Sequence, residues 1–264
     1  MRFRPEDYSI GPFQDATPWL SRPETLRNRA QEFGYLYFPG LVPSSRIAAL
    51  REFVRDVAVE YGWAKAARNN PPFLTAAPGA HMERRPWKDH RFVELQRRLG
   101  RNEDFQAVGQ YGPILDVLET LYGEPAWMAM TNYCWLKLPG NPEHTTLPHQ
   151  DRYYLPDCTR LWTGWFPLAE TSFEVGPLGL IPASHKKGLW PHRSAMSGIR
   201  SGLDVPWASS EVHPGDVVLF NGLTVHGAWS NVSPDRIRAS LDVRYEPQPQ
   251  DGLSILRPEM AEDA

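Results

Sequence analysis

The chain has 264 residues, of which 41% are hydrophobic and 22% charged, enough for one large domain with its own core. Its formal net charge is -3, from 28 basic and 31 acidic residues, and no basic stripe or tail stands out. This balance makes nucleic acid and anionic membranes poor candidate partners.

The first half of the sequence has helical periodicity. Ser44-Ser45-Arg46 opens a run with apolar residues three and four positions apart, which predicts an amphipathic helix with a serine cap. A second run, from Phe105 to Leu121, predicts a helix that breaks in two at Gly112-Pro113. Between them, Asn69 to Pro86 is rich in Pro and Ala, and we interpret it as a long loop of the kind that often forms a lid.

From Ala126 onward, short segments of strand-like composition are separated by Pro and Gly turns. The predicted strands are Ala126–Lys137, Arg160–Pro167, Leu178–Ile181, Val217–Phe220 and Ile237–Tyr245. Helices first and strands second indicate an α+β fold with a mainly β core, an antiparallel sandwich or barrel carrying helices on one side. No linker divides the chain, so we predict a single domain, 1–264, with a mainly helical part and lid loop (1–125), a β core (126–246) and a C-terminal tail (247–264).

His149-Gln150-Asp151 and the distant His226 are the candidate metal ligands. On a strand, alternate side chains face the same way, so His149 and Asp151 are expected to point into one barrel together. With one distant histidine they form a 2-His-1-carboxylate triad, which leaves positions open for a cosubstrate and oxygen. Taken alone, His-x-Asp more often marks a surface histidine beside a capping aspartate, and a lone histidine after an apolar strand is more often a core residue.

The segment from Arg236 to Tyr245 alternates strictly between polar and apolar residues. By default such a pattern is a half-exposed strand whose charged face meets solvent. The alternative is that the polar face lines a wet barrel interior, where a buried arginine needs an anionic partner. A carboxylate of 2-oxoglutarate would pair with Arg238 through two parallel hydrogen bonds, and Ser240, one pleat along, would donate a further one.

These segments resemble the phytanoyl-CoA dioxygenase family of iron(II)/2-oxoglutarate oxygenases, from about Trp127 to Tyr245. The pieces that carry the resemblance follow in family order: Leu147-Pro148-His149-Gln150-Asp151, Trp165-Phe166-Pro167-Leu168, Gly176-Pro177-Leu178 with Ile181-Pro182-Ala183-Ser184-His185, Gly215-Asp216-Val217-Val218-Leu219-Phe220, and then His226, Asn231 and Arg-x-Ser. Each piece is modest alone, but the set in this order is specific. Ala183-Ser184-His185 departs mildly from the family's Gly-Ser-His.

The resemblance implies a double-stranded β-helix (a jelly-roll, cupin-like core) with helices packed on one sheet. It also implies that His149, Asp151 and His226 bind iron(II), and that 2-oxoglutarate and O2 are the cosubstrates.

The resemblance further implies that Arg238 holds the distal carboxylate of 2-oxoglutarate, with Ser240 assisting and Trp165 beside the cosubstrate. The family arginine often lies eleven residues after the distal histidine, where this chain has an isoleucine, so Arg236 is the alternative to Arg238. Tyr133 lies on a strand that usually contributes a cosubstrate contact, although a core tyrosine is at least as good an interpretation.

The expected reaction is hydroxylation of a small organic molecule. Epimerisation, desaturation or ring closure at the same triad are alternatives, as are a metal-dependent isomerase or lyase that uses no 2-oxoglutarate and a binding module with a vestigial site. Asp151 disfavours halogenation, because related halogenases have a small residue in its place. The excess of Arg over Lys, with frequent Pro and Ala, is typical of bacteria with GC-rich genomes, in which this family often tailors secondary metabolites.

Two further groups of residues are candidates for the substrate pocket or rivals for the metal. The candidate pocket walls are Arg152, Tyr153, Tyr154 and the Asn69–Arg85 loop with His81, Arg84 and Arg85. An ordinary surface loop is an equally good interpretation of them. The rival histidines are His144, His185 and His213, of which the last two lie at loops or turns and are expected to be structural.

Cys134 and Cys158 are too few and too scattered for a disulfide framework or a zinc site, so reduced thiols are expected. The first residues contain no apolar signal region, and no apolar run approaches the ~18 residues of a membrane span. We therefore expect a cytoplasmic protein without a membrane partner, and the sequence leaves its oligomeric state open.

Overall fold

A computed structural model describes residues 3–67, 69, 71–83, 85–129, 132–141, 145–193 and 198–247. Arg84 and His144 lie outside the described residues, and so does all of the predicted tail, 247–264, except residue 247. The single-domain division of the chain stays a prediction.

The helices of the described residues precede most of the strands, as the periodicity predicts. They are α1 (Pro23–Phe33), α2 (Ser44–Glu60), α3 (His90–Leu99), α4 (Glu103–Gly109), α5 (Gly112–Tyr122) and the one-turn α6 (Asp151–Tyr154). Among them we find none with both the length and the apolar character needed to span a bilayer.

Helix α2 begins where the sequence predicts, but the predicted serine cap is wrong. Pro43 occupies the N-cap position, with φ -53°, and no side chain caps the helix. Its carbonyl accepts a hydrogen bond from the Arg46 amide, so Ser44 and Ser45 are already the first two helical residues. The proline fixes the backbone angle just before the helix, which makes a side-chain cap unnecessary to start it.

The predicted break in the second helical run is confirmed. Helix α4 ends at Gly109, and α5 starts at Gly112 with Pro113 in its first turn, where the missing amide hydrogen costs nothing. Helices α1 and α3 lie in the half predicted to be helical, although the periodicity did not delimit them. Only Leu26 and Ala30 are buried in α1, too few for a clear apolar stripe.

The strands form two sheets. They are β1 (Ile10–Gly11), β2 (Tyr35–Phe38), β3 (Leu74–Thr75), β4 (Trp127–Met128), β5 (Tyr133–Lys137), β6 (Trp162–Pro167), β7 (Leu178–Leu180), β8 (Trp207–Ser209), β9 (Val217–Asn221), β10 (His226–Ala228) and β11 (Arg236–Glu246). The main sheet has the order β2-β9-β6-β11-β3, with β4 and β5 also paired to β11, and the smaller sheet has the order β1-β8-β7-β10. The five predicted strand segments are confirmed, except that the first divides into β4 and β5.

The segment predicted as one long loop, Asn69 to Pro86, is wrong in part, because it contains β3. Leu74 and Thr75 pair with Ile237 and Arg236 at the start of β11. Leu74 is fully buried, so this stretch is anchored to the main sheet. A lid function for the rest of the segment stays a prediction.

The helices pack against one face of the main sheet, and the smaller sheet faces the other. Strand β11 separates the two environments: its apolar side chains join the core between helices and sheet (Ile237, Ala239, Leu241, Val243 and Tyr245). Its polar side chains point to the opposite face, and Arg238, Ser240 and Arg244 are buried there. The predicted jelly roll with helices on one sheet is confirmed, and so is the interpretation that the polar face of β11 lies inside.

Replacing Leu241 by alanine tests which face of β11 meets the helices. Leu241 is 0% exposed in the helix-facing core, so Leu241→Ala should lower the free energy of unfolding by ~2–5 kcal/mol. Denaturant unfolding measures the change. Leu189→Ala is the matched control, because Leu189 is 53% exposed and its truncation should change stability by no more than about 0.5 kcal/mol. Equal losses in both variants would contradict this assignment of faces.

Candidate metal centre

His149 and His226 lie directly opposite each other in an antiparallel bridge. The His149 amide donates to the His226 carbonyl at 2.8 Å, and the His226 amide donates to the His149 carbonyl at 2.9 Å. The two imidazole rings lie side by side, with centroids 4.2 Å apart. The bridge therefore joins two segments more than seventy residues apart and sets the spacing of their side chains.

The expectation that His149 and Asp151 share one strand is wrong. His149 takes part only in the bridge, and Asp151 is the first residue of the one-turn helix α6. The turn nevertheless brings the carboxylate back to the rings, since Asp151 Oδ1 lies 3.5 Å from His149 Nε2 and 3.7 Å from His226 Nε2. One ligand atom from each of the three residues lies within 4.8 Å of the others, a group that could hold a metal ion.

Backbone carbonyls orient both imidazoles for metal binding. His149 Nδ1 lies 2.8 Å from the Leu147 carbonyl and His226 Nδ1 lies 2.9 Å from the Thr224 carbonyl. A carbonyl oxygen can only accept, so each Nδ1 carries the hydrogen and each Nε2 offers its lone pair toward Asp151. Burial and the neighbouring His149 lower the pKa of His226 to about 3, so this imidazole is neutral at pH 7. Two oriented imidazoles and one carboxylate are the donor set that suits iron(II) with open coordination positions.

Asp151 is buried, and two residues of the main sheet bind its carboxylate. Thr163 Oγ1 on β6 donates to Oδ2 at 2.6 Å, and Arg244 on β11 places its guanidinium 3.3 Å from the same oxygen. Burial by itself raises the pKa of Asp151, but the charge of the Arg244 guanidinium acts in the opposite direction, and the pKa lies well below its usual range. The carboxylate is therefore ionised and ready to bind a cation.

Gln150 points away from the ligands and anchors their loop. Its side chain is fully buried, donates to the carbonyls of Gly188 and Leu223, and accepts a hydrogen bond from the Trp190 amide at 2.7 Å. Three hydrogen bonds from one buried amide fix the chain on both sides of it. The residue between the two ligands therefore contributes rigidity, a role that the His-x-Asp pattern does not reveal.

Arg238 and Arg236, the two candidates for holding a carboxylate, lie in different surroundings. Arg238 is 2% exposed and donates to Ser240 Oγ at 3.1 Å, while its Nε has no hydrogen-bond partner among the described residues. Arg236 is partly exposed, and its guanidinium stacks 3.7 Å from the ring centroid of Phe73. A buried guanidinium with an unsatisfied donor is costly unless an anion completes it, and this fits a 2-oxoglutarate carboxylate at Arg238.

Trp165 and Tyr133 both lie on strands that flank β11. Trp165 is buried between the two sheets, in the same cluster as Phe220, whose ring lies 4.3 Å from that of His226. Tyr133 lies opposite Asp242, and the Arg244 guanidinium is 5.4 Å from its ring centroid. Both positions are compatible with a lining role in the interior.

Thr163 and Arg244 are site residues that the sequence did not single out. Arg244 shares the polar face of β11 with Arg238, so the alternation contained it, but nothing in the pattern pairs it with Asp151. Thr163 lies in a predicted strand without any distinguishing feature. Both are recognisable only after the fold brings β6 and β11 beside the turn that carries Asp151.

The candidate pocket walls divide into two groups. Tyr154 packs edge-on against His149, with ring centroids 5.6 Å apart, and Tyr153 stacks on His192 at 4.1 Å, so α6 lies beside the metal centre. His81 is exposed, and its carbonyl accepts a hydrogen bond from Trp63 in the helical layer.

The remaining pocket candidates and rival histidines lie elsewhere. Arg152 donates to the carbonyl of Leu155 within its own turn, and Arg85 precedes a short 3-10 helix. His185 lies in a short 3-10 helix and His213 in a turn, and neither belongs to the candidate metal group of the described residues.

Comparison with known proteins gives one family and several relatives. A model of the phytanoyl-CoA dioxygenase family matches residues 30–240. The 1-deoxypentalenic acid 11-beta-hydroxylase of Streptomyces arenae is 28% identical over 273 residues, covering 96% of this chain and 92% of that protein. The epimerase SnoN, solved in complex with Fe3+, alpha ketoglutarate and nogalamycin RO, has a TM-score of 0.61 at 19% identity, covering 90% of this chain and 94% of SnoN. The carbocyclase SnoK from nogalamycin biosynthesis has a TM-score of 0.59 at 20% identity, covering 94% and 96%. Both structures share the fold of this chain.

Gly227 permits the close approach of the two ligand segments. A Cβ at this position would lie 2.9 Å from the Thr146 carbonyl oxygen and 3.2 Å from the Pro148 nitrogen. Gly227→Ala should push the segments apart, lower stability by ~1–3 kcal/mol and weaken iron(II) binding by on the order of tenfold or more. Gly11→Ala is the control, since a Cβ there meets nothing within 4 Å. Metal titration of the two variants checks this, and an unchanged affinity in Gly227→Ala would show that the bridge does not set the ligand spacing.

Arg244 is the cation that compensates the buried Asp151 carboxylate in the metal-free protein. Arg244→Met should destabilise the chelator-treated protein by ~3–5 kcal/mol, because the carboxylate is left buried without its partner. The double variant Arg244→Met with Asp151→Asn removes both charges and should recover part of that loss. Urea unfolding measures both. Additive losses in the double variant would mean that the two groups do not interact.

Proposed function

The chain belongs to the phytanoyl-CoA dioxygenase family, and we propose that it is an iron(II)- and 2-oxoglutarate-dependent oxygenase that hydroxylates a small organic molecule. The observation that carries this proposal is the convergence of His149, Asp151 and His226, one ligand atom of each lying within 4.8 Å of the others. The buried Nε of Arg238, which has no hydrogen-bond partner among the described residues, supports an anionic cosubstrate in the same interior.

In this proposal His149, Asp151 and His226 hold the iron. When bound, iron(II) and 2-oxoglutarate supply the oxidising chemistry, in which O2 is consumed, 2-oxoglutarate is converted to succinate and CO2, and one oxygen atom enters the substrate. Thr163 and Arg244 keep the Asp151 carboxylate in place, and the Leu147 and Thr224 carbonyls keep both imidazoles turned inward. The contribution of the chain to the metal is therefore orientation.

The proposed cosubstrate contacts lie on the inward face of the main sheet. Arg238 pairs with the distal carboxylate of 2-oxoglutarate, Ser240 donates a further hydrogen bond, and Trp165 and Tyr133 line the same space. Burial lowers the pKa of Arg238 to about 10, so it remains a cation at pH 7. Because its Nε has no partner among the described residues, pairing with a carboxylate would satisfy a donor that is otherwise buried at a cost. In an isomerase that uses no 2-oxoglutarate, no cosubstrate carboxylate would be present to accept a hydrogen bond from this buried donor.

The proposal of hydroxylation draws on the relatives of known activity. The Streptomyces arenae protein named 1-deoxypentalenic acid 11-beta-hydroxylase aligns along nearly the whole of both chains. We propose a small organic substrate from secondary metabolism, with epimerisation, desaturation or ring closure as alternative outcomes at the same centre. Product analysis separates them, because only hydroxylation adds an oxygen atom from O2 to the product.

The side chains around the centre support a small substrate. Tyr154 packs on His149, and Tyr153 stacks on His192, so the turn after the ligands presents aromatic surface beside the metal. We propose that this turn forms one wall of the substrate pocket. Cys134 and Cys158 are both free and buried, which supports the further proposal that the enzyme works in the reducing cytoplasm.

Anaerobic titration of iron(II) and then 2-oxoglutarate into the metal-free protein tests the proposed function. The wild type should develop the weak visible charge-transfer band of an iron–2-oxoglutarate complex, and Asp151→Ala should abolish it. Arg238→Ala should weaken 2-oxoglutarate binding by ~10- to 100-fold, since it removes charge-assisted hydrogen bonds.

The matched control is the neighbouring arginine on the same strand. Arg236 stacks on Phe73, so Arg236→Ala should leave the 2-oxoglutarate affinity unchanged. A large loss in Arg236→Ala with none in Arg238→Ala would transfer the cosubstrate contact to Arg236. A folded wild type that shows no band, and forms no succinate in air, would contradict the oxygenase proposal itself.

A further inference from the structure

Lys137, the last residue of β5, lies directly opposite Arg238 of β11. Residues directly opposite each other in an antiparallel pair have Cβ atoms about 4.5–5.5 Å apart, and like charges in such a pair repel. Lys137 shares its face of β5 with Trp135, whose indole nitrogen donates to Asp242 on the polar face of β11 at 2.8 Å. The two cations therefore lie side by side on the inward face of the main sheet.

Both cations contact the neighbouring cross-strand pair of Trp135 and Ser240. The Lys137 ammonium lies 4.7 Å from the ring centroid of Trp135, and Trp135 is the partner of Ser240 across the strands. Arg238 donates to the hydroxyl of that same Ser240 at 3.1 Å. The Lys137 ammonium and the Arg238 guanidinium therefore contact the two members of one cross-strand pair, Trp135 and Ser240.

The described residues provide this cluster with too few acceptors. Arg238 Nε has no hydrogen-bond partner among the described residues, and the Lys137 ammonium lies over the ring of Trp135, which offers no lone pair of an oxygen. The carboxylate of Asp242 acts electrostatically on both cations, but it already accepts a hydrogen bond from Trp135 and lies 3.8 Å from Arg244. Two neighbouring cations that share one occupied carboxylate indicate a site for a further anion.

We propose that Lys137 is a second cation for the distal carboxylate of 2-oxoglutarate, so that Lys137, Arg238 and Ser240 together form its binding site. This inference rests on the proposed function and adds a residue to it. A carboxylate has about four lone-pair positions, enough to accept from the guanidinium, the hydroxyl and the ammonium at once. The extra cation also offsets the cost of burying a dianionic cosubstrate in the interior.

Charge on Lys137 makes the binding dependent on pH. Burial and the neighbouring Arg238 lower the pKa of Lys137 to about 7, although Asp242 acts in the opposite direction. A bound carboxylate raises that pKa, so 2-oxoglutarate binding takes up a proton above neutrality. The affinity should therefore be greatest below about pH 7 and fall by up to roughly tenfold for each pH unit above it, until the pKa of the complex is reached.

Titration of 2-oxoglutarate into the anaerobic iron(II)-loaded protein, from about pH 6 to about pH 8.5, tests this assignment without turnover. Lys137→Met keeps the length of the side chain and removes the charge, so it should lose on the order of tenfold to a hundredfold in affinity below neutrality and lose the pH dependence. Lys137→Arg keeps a charge that does not titrate in this range, so it should bind tightly with little pH dependence. Lys186→Met, at an exposed lysine of another element, should match the wild type.

Each outcome of this experiment decides between distinct conclusions. Unchanged affinity and unchanged pH dependence in folded Lys137→Met would overturn the assignment and leave the oxygenase proposal intact. Equal losses in Lys137→Met and Lys137→Arg would also overturn it, because a packing role is not rescued by restoring charge. A wild type that binds no 2-oxoglutarate at any pH would overturn the proposed function and this inference together. Thermal unfolding of each variant checks that it is folded.

Discussion

The geometry of the centre depends on the bridge between His149 and His226. Two backbone hydrogen bonds hold these residues opposite each other, so the imidazoles inherit their separation from the backbone rather than from flexible side chains. Gly227 leaves room for this approach, and Gln150 fixes the turn that follows. Because Asp151 begins that turn, its carboxylate reaches both rings without lying on the same strand. Because the three side chains are already held in place, a metal ion does not have to order them when it binds.

The charged groups of the interior are organised by the alternation of β11. One face of this strand carries the polar residues Arg238, Ser240, Asp242 and Arg244, the last of which contacts Asp151. The apolar side chains of the other face pack against the helices. Arg244 compensates the charge of the buried Asp151 carboxylate, and Asp242 lies between the two buried arginines. A slip of one residue in the register of β11 would exchange the two faces and destroy both core and site. The same pattern therefore specifies packing and chemistry.

Much of this arrangement is predictable from the sequence. Strict alternation separates the two faces of β11, and the order of the family motifs predicts His149, Asp151 and His226 as the metal ligands. The local structure at Asp151 was not predictable, because His-x-Asp fits a strand and a turn equally well. Strands β1, β2, β3, β8 and β10, which the sequence did not predict, span only two to four residues each and carry no clear periodic pattern. Partnerships such as Thr163 with Asp151, or Lys137 with Arg238, arise from strand pairing between distant segments, and alternation alone does not specify them.

The polar interior beside β11 holds more cationic than anionic side chains. Lys137, Arg238 and Arg244 face Asp151 and Asp242, and the donor atoms of Arg238 are not all satisfied within the described part of the chain. The fold tolerates this region because the surrounding sheet fixes the positions of its side chains. The free-energy cost of burying these cations is offset when an anion binds to them. A dianionic cosubstrate balances this excess of positive charge better than a neutral one would. Succinate, the product formed from 2-oxoglutarate, is also a dianion and balances it equally well. The charge balance of the fold therefore favours the site in its occupied state throughout the proposed reaction.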